Sequence, residues 1–186
     1  LNLPDNLVQM VTIPPTKQKT QHLMKQADLL IVTGSQSNVK LGYESGTPAI
    51  GVGVGNVVTI VDETADLRDA AQKISESKTF DNATSCSSEN SIIAVEQVYD
   101  SLIDELQKEG GLVLNHLQAK DLEKIHWKDG KLNSTLIAQN IDKVLSSLSI
   151  EHDTSKNIKF LIVPCKGVGP SYPISGEKMA LFLSIY

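Results

Sequence analysis

The sequence has 186 residues, 40% of them hydrophobic and 21% charged, with a formal net charge of −5 at pH 7. That is ordinary globular composition, and the acidic balance without any lysine/arginine run argues against nucleic acid or an anionic membrane as the main partner. No apolar run reaches the roughly 18 residues of a membrane span, and no basic start precedes an apolar signal core, so a site for a small molecule is the better expectation.

Taken in order, residues 7–13 (LVQMVTI) predict a strand stopped by Pro14-Pro15, and Thr16 is placed to cap a helix through His22, Leu23 and Met24. Leu29-Leu30-Ile31-Val32 has the continuous apolar pattern of a strand covered on both faces. It ends in Thr33-Gly34-Ser35 before a predicted helix reaching Ser45. Pro48-Ala49-Ile50 opens another strand into Gly51-Val52-Gly53-Val54-Gly55-Asn56, where alternate glycines allow the backbone a close approach to a ligand or another strand. Residues 57–61 are again strand-like. Asp62-Glu63-Thr64-Ala65-Asp66 breaks the pattern, and Asp66 can cap a helix with Leu67, Ala70, Ala71 and Ile74 on one face. The alternation predicts a parallel α/β fold with a lobe boundary near Asp62, giving lobes 1–61 and 62–186.

Further on, 92–95 predict a short strand, and Val98, Leu102, Ile103 and Leu106 form a helical stripe ended by Gly110-Gly111. Two more amphipathic helices are predicted over 117–127 and 137–148, a loop over 153–157, a strand over 160–163 and an irregular Gly/Pro-rich segment over 164–176. The apolar tail 179–186 reads as a final strand. A domain closing there would leave it as an edge with Leu181, Phe182, Leu183 and Ile185 to cover, so more chain is expected to follow. Leu1 in place of a methionine likewise suggests a fragment or processed product.

One of the two cysteines, Cys86, lies in the small, polar stretch Thr79-Phe80-Asp81-Asn82-Ala83-Thr84-Ser85-Cys86-Ser87-Ser88-Glu89-Asn90-Ser91, just before an apolar run. A lone cysteine is more often packing than chemistry. A polar loop entering a buried strand, however, surrounds the thiol with N–H donors that favour the nucleophilic thiolate. Cys165 beside a strand reads as structural. With no CxxC pair, neither a disulfide framework nor a metal site is indicated, and a reducing cytoplasm fits. His22, His116, His126 and His152 show no ligand spacing and read as surface or partly packed residues. No GxSxG elbow supports a serine hydrolase.

Thr33-Gly34-Ser35, the glycine-rich 51–56 segment, Asp62-Glu63-Thr64-Ala65-Asp66, the SKTFDN and CSSE words at 77–82 and 86–89, and Glu177-Lys178 together resemble the aldehyde dehydrogenase superfamily, and within it the CoA-acylating branch. The wording FDNATSCSSENS is similar to acylating sulfoacetaldehyde dehydrogenases, with acetaldehyde and succinate-semialdehyde relatives close behind. The resemblance covers the whole chain but only a central segment of the family's pattern. It implies the end of a Rossmann-type nucleotide domain followed by part of an α/β catalytic domain. It also implies NAD or NADP as cofactor, coenzyme A as co-substrate, a small aldehyde as substrate and a homo-oligomeric parent enzyme.

Residue by residue, the resemblance implies Cys86 as the nucleophile that becomes a thioester, its backbone N–H as half of an oxyanion hole, Gly34 and Ser35 at the cofactor's pyrophosphate, Gly53 and Gly55 in the adjoining glycine segment, and Glu177 on the nicotinamide ribose. The oxyanion asparagine and the adenine-side elements would precede Leu1, so these 186 residues alone are expected not to turn over. Val52 stands where hydrolytic members carry the glutamate that activates water, which favours coenzyme A over water as acyl acceptor. A non-catalytic α/β binding module and a hydrolytic dehydrogenase remain the alternative readings. Each glycine or glutamate, taken singly, could be an ordinary turn or a solvated charge.

Overall fold

The computed structural model describes residues 4–151 and 157–186. They form two compact units, Leu1–Val54 and Gly55–Tyr186. The first contains α1 (Lys17–Gln26), β1 (Leu30–Thr33), α2 (Gln36–Glu44) and β2 (Ala49–Val52). Thr16 caps α1, its hydroxyl accepting from the Lys19 N–H at 3.2 Å. β1 and β2 pair in parallel, with Leu30 opposite Ala49 and Thr33 opposite Val52. Burial along β1 differs from expectation: Leu30 is buried but Ile31 is 75% exposed, so the strand is covered on one face only among the described residues. The strand predicted over 7–13 is absent. A strand exists through its ladder partner, and no described segment pairs with these residues, whose Val8, Met10 and Ile13 side chains stay exposed.

The second unit is built on a five-stranded parallel sheet. Its strands are β3 (Val57–Val61), β4 (Glu89–Ala94), β5 (Gly111–Val113), β8 (Phe160–Pro164) and β9 (Phe182–Ile185), in the order β3-β4-β9-β8-β5. A small antiparallel hairpin, β6 (Trp127–Lys128) with β7 (Lys131–Leu132), forms a separate two-stranded sheet. β3 pairs along its whole length with β4, so residues 57–61, expected in the first lobe, belong structurally to the second unit.

Helices cover both faces of the sheet. On one side α3 (Leu67–Thr79) and α4 (Glu96–Lys108) bury Ala71, Ile74, Leu102 and Leu106 against Ile92, Phe160, Ile162, Leu183 and Ile185. On the other, α5 (His116–His126) and α6 (Ile141–Ser147) bury Leu122, Val144 and Leu145 against Leu161, Val163 and Phe182. Asp66 caps α3 as predicted, accepting from the Arg68 and Asp69 N–H groups at 3.1 Å. α6 starts four residues later than the apolar stripe suggests, because Ala138 turns left-handed (φ 57°) and Asn140 caps from outside, accepting from the Lys143 N–H at 2.9 Å. Gly110 ends the α4 region at φ 99°. Gly111, expected only as a helix stop, opens β5, where a Cβ would lie 2.6 Å from Ile162 Cδ1. Residues 153–156 of the expected loop, and His152, lie outside the described residues.

The tail corrects the expectation of an edge. β9 is an inner strand, bonded to β4 on one side and β8 on the other, and all four of its residues are buried. Leu183→Ala is therefore expected to cost the second unit about 2–5 kcal/mol. Ile60→Ala on edge strand β3, where the side chain is 71% exposed, should cost under ~1 kcal/mol. Urea unfolding of the two variants checks the contrast, and equal losses would contradict the inner placement of β9.

Candidate active site

The loop between α3 and β4 carries Cys86. After Phe80 the chain takes three consecutive left-handed residues, Asp81 (φ 48°), Asn82 (φ 52°) and Ala83 (φ 60°). Asp and Asn tolerate this conformation best among non-glycine residues, and Ala83 is held in it by burial in the core at 2% exposure. Thr84 ties the turn back, its hydroxyl reaching the Asp81 carbonyl at 2.7 Å and carboxylate at 2.6 Å. A second turn follows, closed by the Ser88 N–H on the Ser85 carbonyl at 3.0 Å. Cys86 sits at its exposed tip between the hydroxyls of Ser85 and Ser87, themselves 2.8 Å apart. Among the described residues the Cys86 N–H has no hydrogen-bond partner. Every described buried side-chain oxygen without a partner belongs to the residues just beyond: Ser88 Oγ, Glu89 Oε2 and Ser91 Oγ.

Gly55 meets the thiol loop, and Glu177 in turn faces Gly55. A Cβ at Gly55 would stand 3.4 Å from the Cys86 carbonyl oxygen. Glu177 follows the short 3-10 turn Pro173–Ser175. Burial raises its carboxyl pKa above the usual carboxylate range, while the facing Gly55 backbone amide works in the opposite direction. Asn56 fixes the same segment by donating from Nδ2 to the Ser175 carbonyl at 2.9 Å. Gly55, Cys86 and Glu177 thus form one constellation in the second unit.

Gly34, Ser35, Val52 and Gly53 gather separately, at the C-terminal ends of β1 and β2 in the first unit. The Gly34 N–H donates to the Val52 carbonyl at 3.3 Å, and Gly34 has φ 130°, open only to glycine. Ser35 caps α2, accepting from the Asn38 N–H at 3.4 Å. A Cβ on Gly53 would press to 2.6 Å from Gln36 Nε2. A side-chain-free backbone beside a helix N-terminus, at the carboxyl ends of parallel strands, suits a phosphate group.

Sequence reasoning missed the polar residues that hold the Cys86 constellation. Lys78, 1% exposed, donates from Nζ to the Glu89 carbonyl at 2.8 Å. Lys178, fully buried, donates from Nζ to the Asn90 carbonyl at 2.7 Å and the Gly176 carbonyl at 3.0 Å, while its N–H meets Asn90 Oδ1 at 3.0 Å. Desolvation pulls both ammonium groups down to about 7. For Lys78 the Glu89 charge resists this, and for Lys178 the Lys78 charge adds to it. His126, expected near the surface, is 1% exposed and shares an Nε2 hydrogen bond with the Lys178 carbonyl at 2.8 Å; burial lowers its pKa. Both lysines stand inside motif words, so position was the available signal, but lysine's usual place at the surface conceals burial.

The model of the aldehyde dehydrogenase family matches residues 1–121, which is more than half of the chain. The chain belongs to the aldehyde dehydrogenase family. It is 45% identical over 184 residues to the acylating sulfoacetaldehyde dehydrogenase of Cupriavidus necator, covering 99% of this chain and 37% of that protein. An acetylating aldehyde dehydrogenase of Geobacillus thermoglucosidasius superposes with TM-score 0.88 at 34% identity, over 92% of this chain and 38% of that one. A propionaldehyde dehydrogenase of Rhodopseudomonas palustris, solved with bound CoA and an acylated cysteine, gives TM-score 0.80 at 29% identity, over 92% of this chain and 39% of that one. The chain therefore spans less than two fifths of the length of these relatives, and the α/β, Rossmann-type architecture expected from the sequence is the one they share.

Within this family member the two thiols differ sharply. Cys86 is exposed, whereas Cys165 is half-buried and desolvation raises its pKa. Brief iodoacetamide treatment followed by peptide mapping should label Cys86 at least ~10-fold faster; equal labelling would remove the case for an accessible nucleophile.

The buried lysines give a second expectation. In the unfolded chain both stay protonated to their ordinary pKa of 10.5, and in the folded state only to about 7. Above pH 7 the unfolded state binds more protons, so folded stability rises with pH, by up to ~1.4 kcal/mol per unit per lysine, whereas below 7 both states are charged and the burial penalty is fully present. Urea unfolding between pH 7 and 8.5, below the range where Cys165 opposes the trend, should show this rise. Lys78→Met should remove at least half of the slope, because it also relieves the Lys178 ammonium of the neighbouring charge, and a flat wild-type profile would contradict the assignment.

Proposed function

We propose that the chain contributes the nucleophile and part of the nucleotide site of a CoA-acylating aldehyde dehydrogenase. The observation that carries this reading is the exposed Cys86 at the tip of a turn pinned at both ends, with its own N–H unpaired among the described residues, with Gly55 against the loop and Glu177 facing the Gly55 amide. The boundary of the two functions is proposed to follow the two units, with Gly34, Ser35 and Gly53 in the nucleotide part and Cys86, Gly55 and Glu177 in the catalytic part.

In this reading the Cys86 thiolate adds to the carbonyl carbon of a short aldehyde, and the Cys86 N–H donates to the oxygen as it takes up negative charge. Such a preorganised donor contributes about 3 kcal/mol to similar reactions. NAD or NADP, when bound, supplies the acceptor for the hydride that leaves that carbon. In the first unit Gly34, Ser35 and Gly53 would hold a pyrophosphate, with the open backbone and the α2 terminus, and in the second unit Glu177 and Gly55 would face a ribose. Loss of hydride leaves the acyl group on Cys86 as a thioester. The thiolate of coenzyme A then adds to that carbonyl, the Cys86–acyl bond breaks, and acyl-CoA departs with Cys86 restored as thiolate.

Val52 supports the choice of acceptor. It ends β2 half-exposed, an aliphatic side chain with no capacity to take a proton from water. A thiol with pKa near 8.5 needs no such help, being already a few per cent thiolate near pH 7. We extend the reading to a homo-oligomer in a reducing cytoplasm. Two free thiols suit that compartment, and the exposed Val58, Ile60 and Ile93 on one face of the sheet supply an apolar surface for assembly.

The test is product analysis on the complete protein that carries this chain, with sulfoacetaldehyde, acetaldehyde and succinate semialdehyde in turn. Acyl-CoA should exceed free acid by ~100-fold or more, because each ~1.4 kcal/mol of missing base assistance slows hydrolysis about tenfold. Cys86→Ser should abolish both products. Free acid formed at a comparable steady rate without coenzyme A would overturn the reading.

A further inference from the structure

Lys178 has no part in the chemistry above, yet it is fully buried, and its side chain packs with the ammonium 6.0 Å from the centroid of the Phe182 ring. An ammonium in such a place is costly, and a methionine or leucine would fill the same volume without that penalty. What the ammonium does achieve is connectivity. It bonds the carbonyl of Gly176, directly before Glu177, and the carbonyl of Asn90, the second residue of β4, while the Lys178 N–H, directly after Glu177, meets Asn90 Oδ1. The chain on both sides of Glu177 is thereby tied to the strand that begins three residues after Cys86. Asn56, next to Gly55, adds an outer tie through the Ser175 carbonyl at 2.9 Å.

We propose that Lys178 is a positioning residue that fixes the Glu177 carboxylate relative to Cys86 by bonding the backbone on either side of Glu177 to the start of β4, with Asn56 as the outer arm of the same clamp. The inference rests on the reading of Glu177 as the carboxylate that faces a bound nicotinamide nucleotide. A displacement of about 1 Å at such a group is enough to cost orders of magnitude in rate, so the clamp matters for binding and oxidation without touching the reacting atoms itself.

The experiment uses the complete protein and compares Lys178→Met, Asn56→Ala, Glu177→Gln and the double variants with Glu177→Gln. Four readouts are taken: NADH and NADPH affinity by fluorescence, KM and kcat for aldehyde oxidation, the alkylation rate of Cys86 without nucleotide, and thermal stability. Lys178→Met should weaken nucleotide binding and slow oxidation about tenfold or more, with Cys86 alkylation within about twofold of wild type and no further loss when Glu177→Gln is added. Asn56→Ala, at an exposed position, should move the same readouts in the same direction by a few-fold, without loss of stability. If Lys178→Met does not fold, Asn56→Ala and its double variant decide, and effects that simply multiply with those of Glu177→Gln overturn the proposal. Wild-type nucleotide affinity in Lys178→Met, or alkylation and oxidation falling together, overturns it as well. Should Glu177→Gln itself leave nucleotide affinity unchanged, the reading of Glu177 falls and takes the clamp with it. If Glu177→Gln weakens binding but neither clamp variant does, only the clamp is lost.

Discussion

Two buried lysine side chains hold the first two carbonyls of one strand, and the candidate site is built on that grip. Lys78 reaches back from the end of α3 to the Glu89 carbonyl, and Lys178 reaches across from the last loop to that of Asn90. Both acceptors lie where β4 emerges from the Cys86 turn. A hydrogen bond in a dry interior is electrostatically stronger than the same bond in water. The strand start is thus fixed from before and after the thiol in sequence, while the thiol itself stays open to solvent. The arrangement separates rigidity from exposure: anchoring falls on buried residues at 78, 83, 88 and 90, and reactivity on the one exposed tip between them.

The left-handed run at 81–83 is intelligible on the same basis. Each non-glycine residue in that region costs on the order of 1–2 kcal/mol, which no isolated loop would sustain. Here the run turns the chain within three residues from the end of a helix toward a parallel inner-sheet strand, and Ala83 gains core burial that a solvent-exposed turn would not provide. Strain beside a candidate nucleophile is then a consequence of how abruptly the helix must hand over to β4, with Thr84 closing the turn on Asp81.

Much of the architecture was legible because local signals agreed with tertiary demands. Thr16 and Asp66 are caps both in the sequence pattern and in the hydrogen bonds, and the apolar runs at 57–61 and 160–163 are strands. The failures share a cause, since strand pairing is a property of two segments and sequence shows one at a time. Residues 7–13 have a strand's composition and no partner among the described residues. Gly111 reads as a helix stop yet opens β5, which pairs with β8, and 182–185 look like an edge yet lie between β4 and β8. β3 likewise shows nothing of its pairing in its own residues, because its partner β4 lies beyond the helix that follows it.

At the site, legibility followed chemistry rather than packing. Cys86, Gly55 and Glu177 were singled out because their residue types match a motif in order, and the structure sets Gly55 against the Cys86 carbonyl and its amide toward Glu177. Lys78, Lys178 and His126 escaped because nothing in a linear sequence distinguishes a solvated lysine from one sealed beneath a loop, and the surface is where a lysine normally belongs. Yet the words that made Cys86 and Glu177 recognisable also contained both lysines, one eight residues before the thiol and one directly after the carboxylate. A motif written out in full therefore mixes residues whose chemistry announces them with residues that only burial and bonding reveal.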